Sequence, residues 1–220
     1  MNNFVKNILN VENDEIQLSE RATEIDIKTQ QKECREIVTS LKKTIEHNDM
    51  TALAATEIGY ERRIFCIKFD VEIKTFINPM MVGGEGIQLV QEQSNVTGDK
   101  VYIRPRLSKV NLMYQRPTGQ VESKQFLGKA ALYIQQMMDA IDGIIESDIG
   151  LEIDDDFNNA TETEKNEILS MYLDSLDLKT KQIEKEIEED EQLSQTKKAI
   201  DYMTSVIKGE TKIEPIIENE

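Results

Sequence analysis

Few side chains in this sequence can do chemistry. The chain has one histidine, His47, and two cysteines, Cys34 and Cys66. A helical zinc site sets two histidines at i and i+4 on one face, with a glutamate beside the first as general base. A chain with a single histidine cannot assemble that site. In Gln135-Gln136-Met137-Met138-Asp139-Ala140-Ile141-Asp142-Gly143, the positions with that spacing are Gln136, Met137 and Ala140. An amide, a thioether and a methyl group neither bind a divalent metal well nor take a proton from water. Four acids, Glu57, Glu92, Asp139 and Asp142, have the chemistry for an oxygen-ligated Mg²⁺ or Ca²⁺ and leave open an enzyme with carboxylate chemistry. No phosphate-binding Walker loop, dinucleotide glycine fingerprint, nucleophile elbow or CxxC pair is present.

The elements that must position these residues fall into two compositional parts. The chain of 220 residues carries a net charge of −16. Residues 151–220 hold 20 acids and 8 bases, a net of −12, so the first 150 are nearly balanced. Such acidity argues against a nucleic-acid backbone or an anionic membrane surface as partner and permits basic proteins. No apolar run approaches a membrane span, and no secretory pattern follows Met1, so a cytoplasmic protein with reduced, buried thiols at Cys34 and Cys66 is expected.

Phe4 to Leu9 reads as a short helix. Ile37, Leu41 and Ile45 recur at four-residue spacing and predict a helix over Glu36–His47, with His47 as a capping or surface residue. Strands are expected at Arg63–Phe69 and at Phe76–Pro79, the latter ended by its proline. Gly83-Gly84-Glu85-Gly86 reads as a turn. Further strands are expected at Ile87–Gln91, Lys100–Arg104, Lys109–Tyr114 and Gln120–Phe126, before a helix from Leu127 to Ile145. Thr161 or Thr163 is positioned to cap a helix over about 162–176, and a longer one is expected over 178–208.

Three segments in order resemble the peptide deformylase family. Met50-Thr51-Ala52-Leu53-Ala54-Ala55-Thr56-Glu57-Ile58-Gly59 is similar to its G-x-G-L-A-A-x-Q-I-G motif. Phe76-Ile77-Asn78-Pro79 is similar to its I-N-P segment, and Gln91 to Asn95 falls where E-G-C-L-S belongs. Gln135 to Gly143 is similar to Q-H-E-x-D-H-L-D-G. The resemblance implies an α+β fold with antiparallel sheets around a central helix, over residues 1–150; composition and helical spacing add an acidic, mainly helical extension over 151–220. It also implies which positions once held the metal and the base, namely Gln93, Gln136, Met137 and Ala140. Glu57 stands where the family's glutamine holds the substrate carbonyl oxygen, and Met50 and Ala52 replace glycines of the substrate loop.

The expected function is therefore non-catalytic, without metal or other cofactor: a structural or assembly protein on an inactive deformylase-like fold. Its partners are other proteins, and its setting is the cytoplasm or a phage particle (tail, baseplate or neck) assembled there. Ile183, Ile187, Ile200, Met203 and Ile207 form the candidate docking stripe of the extension. A binder of peptide N-termini that keeps the old groove is the alternative.

Overall fold

The computed structural model describes residues 4–176 and divides the chain into two compact units, Met1–Asn159 and Ala160–Glu220. The first unit opens with α1 (Val11–Leu18) and α2 (Gln31–Asn48). A curled antiparallel sheet follows: β1 (Ala52–Ala54), β2 (Ile64–Phe69), β3 (Glu72–Glu92), β4 (Tyr102–Gln115) and β5 (Val121–Leu127), in spatial order β1-β2-β3-β4-β5. Then come α3 (Lys129–Asp142), α4 (Glu146–Ile149), the two-residue β6 (Leu151–Glu152), which pairs with β4, and α5 (Asp155–Asn159). The sheet thus reaches past the compositional break at residue 150.

Hydrophobic spacing explains how the layers stack. On α2, Cys34, Ile37, Leu41 and Ile45 recur every three or four residues and are buried. They pack against Leu53, Ile64, Cys66 and Ile77 on one face of the sheet. On α3, Ala131, Ile134, Met137, Met138 and Ile141 are buried against Phe65, Ile67, Phe76, Val110 and Leu112 on the other. β2 is therefore covered on both faces, which is why Ile64-Phe65-Cys66-Ile67 reads as an unbroken apolar run. Phe65 stacks on Phe76 with ring centroids 4.9 Å apart, and Phe76 meets Tyr114 at 4.7 Å. Both cysteines are free and buried, as expected.

Several expected elements differ; the strands expected at Lys100–Arg104 and Lys109–Tyr114 are the single strand β4, and the helix expected over Leu127–Ile145 spans Lys129–Asp142. The helix placed at Phe4–Leu9 instead begins at Val11, because Asn10 supplies the cap: its side chain accepts a hydrogen bond from the Glu12 N–H at 2.8 Å. β3 does not stop at Pro79, and the glycine cluster is no turn. The strand absorbs both by register shifts between Ile77 and Met80 and between Met81 and Gly83. Asn78 makes the first one possible. It adopts φ 47°, accepts the Ile25 N–H at 3.0 Å and donates to the Ile25 carbonyl at 2.8 Å. The side-chain amide replaces a ladder bond where the backbone leaves the ladder, and Pro79, which lacks an N–H, sits in that irregularity at no further loss.

In the second unit the described part is a helix over 162–176. Thr161 caps it: Thr161 Oγ1 accepts the Glu164 N–H at 3.3 Å, and Glu164 Oε2 accepts the Thr161 N–H at 2.8 Å. The helix expected over 178–208, with Ile183, Ile187, Ile200, Met203 and Ile207, lies outside the described residues.

Gly143 ends α3 at φ 74°, where a Cβ would overlap the Ser19 carbonyl; Gly119 has φ 86° but open space around it. Gly119→Ala should cost about 1 kcal/mol for the left-handed backbone alone, whereas Gly143→Ala should cost at least about 2 kcal/mol, because steric overlap adds to that strain. Urea unfolding of the two variants checks the difference. Equal losses would mean that the α1–α3 junction yields freely.

Candidate functional site

α3 presents one edge to a buried ionic cluster and the adjacent residues to a cavity. The cluster joins the end of β3, the start of β4 and α3. Arg106 grips Glu92 with both arms of its fork, Nε to Oε2 at 2.9 Å and Nη2 to Oε1 at 2.5 Å. Its Nη1 reaches Asp139 Oδ2 at 2.6 Å. Arg104 Nη2 lies 3.0 Å from the same Asp139 oxygen, and Arg104 Nη1 lies 3.4 Å from Glu92 Oε1, a distance of attraction without hydrogen-bond geometry. Arg104, Arg106 and Glu92 are buried. Two guanidinium groups against two carboxylates leave the cluster neutral, which is the condition under which charges tolerate burial. Gln136 Nε2 donates to Glu92 Oε2 at 3.3 Å and attaches α3 to the cluster.

The cavity, of about 180 Å³, lies between α3, the Met50–Ala52 segment and the Gln93–Val96 loop. Glu57, Gln93, Gln136, Met137 and Ala140, dispersed over more than eighty positions of sequence, all line it, and so do Met50 and Ala52. Met137 is buried and packs into the core, and the Ala140 carbonyl accepts the Thr56 hydroxyl at 3.0 Å. Gln93 turns its amide to the Gly98 carbonyl at 2.7 Å. Its neighbour Ser94 also lines the cavity, and its hydroxyl pairs with that of Thr97 at 3.1 Å. His47 borders a different groove, beside Val5, Lys6 and Asn48.

Two carboxyl groups face the cavity. Glu57 Oε2 accepts the Ala54 N–H at 2.6 Å, and Oε1 accepts Asn95 Nδ2 at 3.0 Å. Burial pushes its pKa up to about 7 against the pull of those two donors, and the negative charge of Glu146 adds to the rise. Glu146 is itself raised by burial, with a hydrogen bond from Ser94 opposing it. Glu57 thus keeps its proton to higher pH than an ordinary glutamate.

The four acids considered for Mg²⁺ or Ca²⁺ do not converge. Glu92 and Asp139 are spent on arginines, Asp142 is bound by Arg63 at 2.5 Å and Arg21 at 3.2 Å, and Glu57 is tied to Ala54 and Asn95. Among the described residues no three His, Cys, Asp or Glu side chains come together as a metal-ion site. The residues that sequence reasoning missed are Arg104, Arg106, Asn95 and Glu146. Arg104 and Arg106 do alternate with Ile103 and Leu107 along one strand, but an arginine in a strand reads as solvent-facing until its buried partner is known.

A family model described as polypeptide deformylase matches residues 5–149. The chain belongs to the polypeptide deformylase family. Solved structures carry the same fold at low identity. The peptide deformylase of Thermotoga maritima is 20% identical with a TM-score of 0.59, over 66% of this chain and 96% of that one. That of Legionella pneumophila is 16% identical with a TM-score of 0.60, over 80% and 98%. A probable peptide deformylase of Synechococcus phage S-SSM7 is 20% identical with a TM-score of 0.59, over 65% and 98%. No curated protein sequence matches.

A deformylase centre takes a cysteine, two histidines and a glutamate around its metal. This cavity supplies Gln136 and Ala140 for the histidines, Met137 for the glutamate and either Gln93 or Ser94 for the cysteine. None of these is an imidazole, a thiol or a carboxylate, and the Gln136 amide is engaged by Glu92. The family's metal does not fit this donor set.

Because the folded pKa of Glu57 lies above its unfolded value near 4.5, the stability it contributes is complete below that value and is lost as pH rises through about 7. Glu57→Gln removes that loss. The variant should gain on the natural chain by up to about 3 kcal/mol between pH 5 and pH 8. Unfolding measured at both pH values checks it, and a pH-independent difference would mean that Glu57 stays ionised in the fold.

Proposed function

We propose that this chain is a non-catalytic deformylase-family protein that serves as a component of a protein assembly. The observation that carries the reading is the chemistry of the cavity wall. Hydrolysis of a formamide needs a hydroxide generated at neutral pH, and a metal-bound water with a glutamate beside it supplies that in zinc hydrolases. Gln136, Met137 and Ala140 offer neither ligand nor base at those places. What the chain keeps is a packed core and a charge-balanced ionic cluster, which serve as scaffold. A phage particle is the proposed setting, supported by the occurrence of the fold in a phage protein. The acidic segment beyond residue 150, with Ile183, Ile187, Ile200, Met203 and Ile207 in it, is assigned a docking role on its sequence alone. Its composition favours protein partners over nucleic acid or membrane. Among the described residues no helix is long and apolar enough to cross a membrane.

One observation favours a second reading. The cavity has not closed, and a carboxyl group with its pKa near 7 sits in its wall. This suits a binder of peptide N-termini better than a catalyst, since both oxygens of Glu57 are already held by Ala54 and Asn95.

Protein prepared without chelator should hold well under one equivalent of zinc, nickel or iron, and formyl-methionyl peptides should not be hydrolysed with any of these metals added. Stoichiometric metal with turnover would overturn the proposal. Rebuilding the ligands as Gln136→His, Met137→Glu, Ala140→His with Gln93→Cys or Ser94→Cys should give weak metal binding and little turnover. The two added histidines, the glutamate and the cysteine would still face Met50 in the old substrate loop and an acid, not an amide, at Glu57.

A further inference from the structure

A second concavity lies away from the deformylase cavity, where the sheet splays. The ladder between β3 and β4 begins only at Ile77 and Gln115, so residues 72–76 pair with β2 alone. Past Gln115 the chain turns, with the Gly119 N–H on the Arg116 carbonyl at 2.8 Å, and returns as β5. The strands part there and leave an open groove of about 780 Å³, which Lys42 of α2 also lines.

The groove is cationic in an acidic chain. Lys42, Lys74, Arg116 and Lys124 line it against two acids, Glu72 and Glu122. Arg116 Nη2 pairs with Glu122 Oε1 at 2.6 Å, and the Tyr114 hydroxyl donates to Glu122 Oε2 at 2.7 Å, so both oxygens of that carboxylate are engaged. Lys74 lies 3.7 Å from Glu72, too far for a hydrogen bond. No ion pair holds Lys42 or Lys124 among the described residues. Aromatic rings place two of the cations. Lys74 Nζ stands 5.7 Å over the Phe69 ring and Lys124 Nζ stands 5.4 Å over the Phe126 ring. The two rings stack on each other with centroids 6.4 Å apart. Two ammonium groups seated on neighbouring rings repel each other, and an anion between them relieves that repulsion.

We propose that this groove, lined by Lys42, Lys74, Arg116 and Lys124, takes a short carboxylate-rich segment of a partner protein. Local charge decides the sign, since four cations face two acids. The chain's −16 does not cancel it, because −12 of that lies beyond residue 150 and the first 150 residues carry only −4. Charges farther away than about 8 Å are largely screened at physiological salt, so the lining governs what enters. Size decides the kind of ligand. Pockets of about 300–1,000 Å³ hold ligands of many atoms, and a single small anion would leave this groove mostly unfilled. A nucleic acid would carry its phosphates past the groove onto an acidic chain. The inference rests on the assembly reading above and gives it a docking surface. It is tested apart from that reading, since metal content and formyl hydrolysis do not enter the measurement.

The probe is a fluorescein-labelled peptide alternating glutamate with serine, titrated with the full chain and read by fluorescence polarisation. It should bind saturably. Lys74→Gln with Lys124→Gln should raise its Kd about tenfold. Lys28→Gln with Lys32→Gln makes the same change of net charge at exposed lysines outside the groove. That pair should leave the Kd within about twofold of the natural value. Lys42→Gln, which breaks no ion pair among the described residues, should raise the Kd about threefold, and it decides the matter if the first double variant does not fold. No binding by the natural chain overturns the proposal, including the case in which the chain's own acids or those of a second copy already fill the groove. Equal loss in the two double variants also overturns it, because overall charge would then account for the binding. Displacement of the peptide by inorganic phosphate at constant ionic strength does so too, because the groove would then be a small-anion site. Failure here leaves the non-catalytic reading standing, and deformylase activity would leave this result unaffected.

Discussion

Four charges buried between one helix and one hairpin set the terms for the rest of the structure. Glu92 and Asp139 need Arg104 and Arg106, and the arginines need them, because a lone charge in that position would cost several kcal/mol. Removing any one member leaves the others uncompensated, so the end of β3, the start of β4 and the middle of α3 are held in one arrangement. Gln136 is drawn into the same arrangement through Glu92. The helix that resembles a metal-binding helix is thus fixed in place by ionic contacts on one edge and by Ile134 and Ile141 in the core on another.

The cavity beside the cluster is lined by Gln93, Gln136, Met137 and Ala140, and its surroundings are independently packed. Its walls come from three separate segments, each fixed by its own contacts. Glu57 is pinned to Ala54 and Asn95, Ser94 to Thr97, and Ala140 to Thr56. A space bounded by independently braced segments does not collapse when a ligand is lost. The one group there with acid–base character near neutrality, Glu57, owes it to burial. The same burial engages its oxygens in holding the loop, so stability and any chemistry at this position compete for the same atoms.

The long hairpin of β3 and β4 faces opposite demands at its two ends. Toward Phe76 and Leu112 it is core, covered by α3 and by neighbouring strands. Beyond Pro79 its outer strand exposes Met80, Val82, Ile87 and Leu89, which lie outside the core clusters of the described residues. Glycines at 84 and 86 keep the strand close to β4 despite that exposure.

The sequence by itself determined the parts governed by local periodicity and by the simple presence of residue types. The α2 stripe of Ile37, Leu41 and Ile45 is visible in the spacing, whereas the α3 helix expected to run to Ile145 stops at Asp142, where Gly143 takes a left-handed conformation. The lack of a two-histidine centre follows from a single histidine, and the family from three ordered segments. Tertiary structure decided whatever depends on a partner distant in sequence. Pro79 and the glycines at 83–86 read as breaks because local rules do not include Asn78 bonding to Ile25, which carries the strand through them. The helix start moved to Val11 because Asn10, and not the apolar pattern, sets the cap. Arg104 and Arg106 read as solvent-facing, and only Glu92 and Asp139, brought in from another strand and a helix, make their burial affordable. The sequence marks Glu57 only as an acid where the family has a glutamine, and burial together with the nearby Glu146 raises its proton affinity. A charge's neighbours, unlike a helix's repeat, are not written in its own stretch of chain.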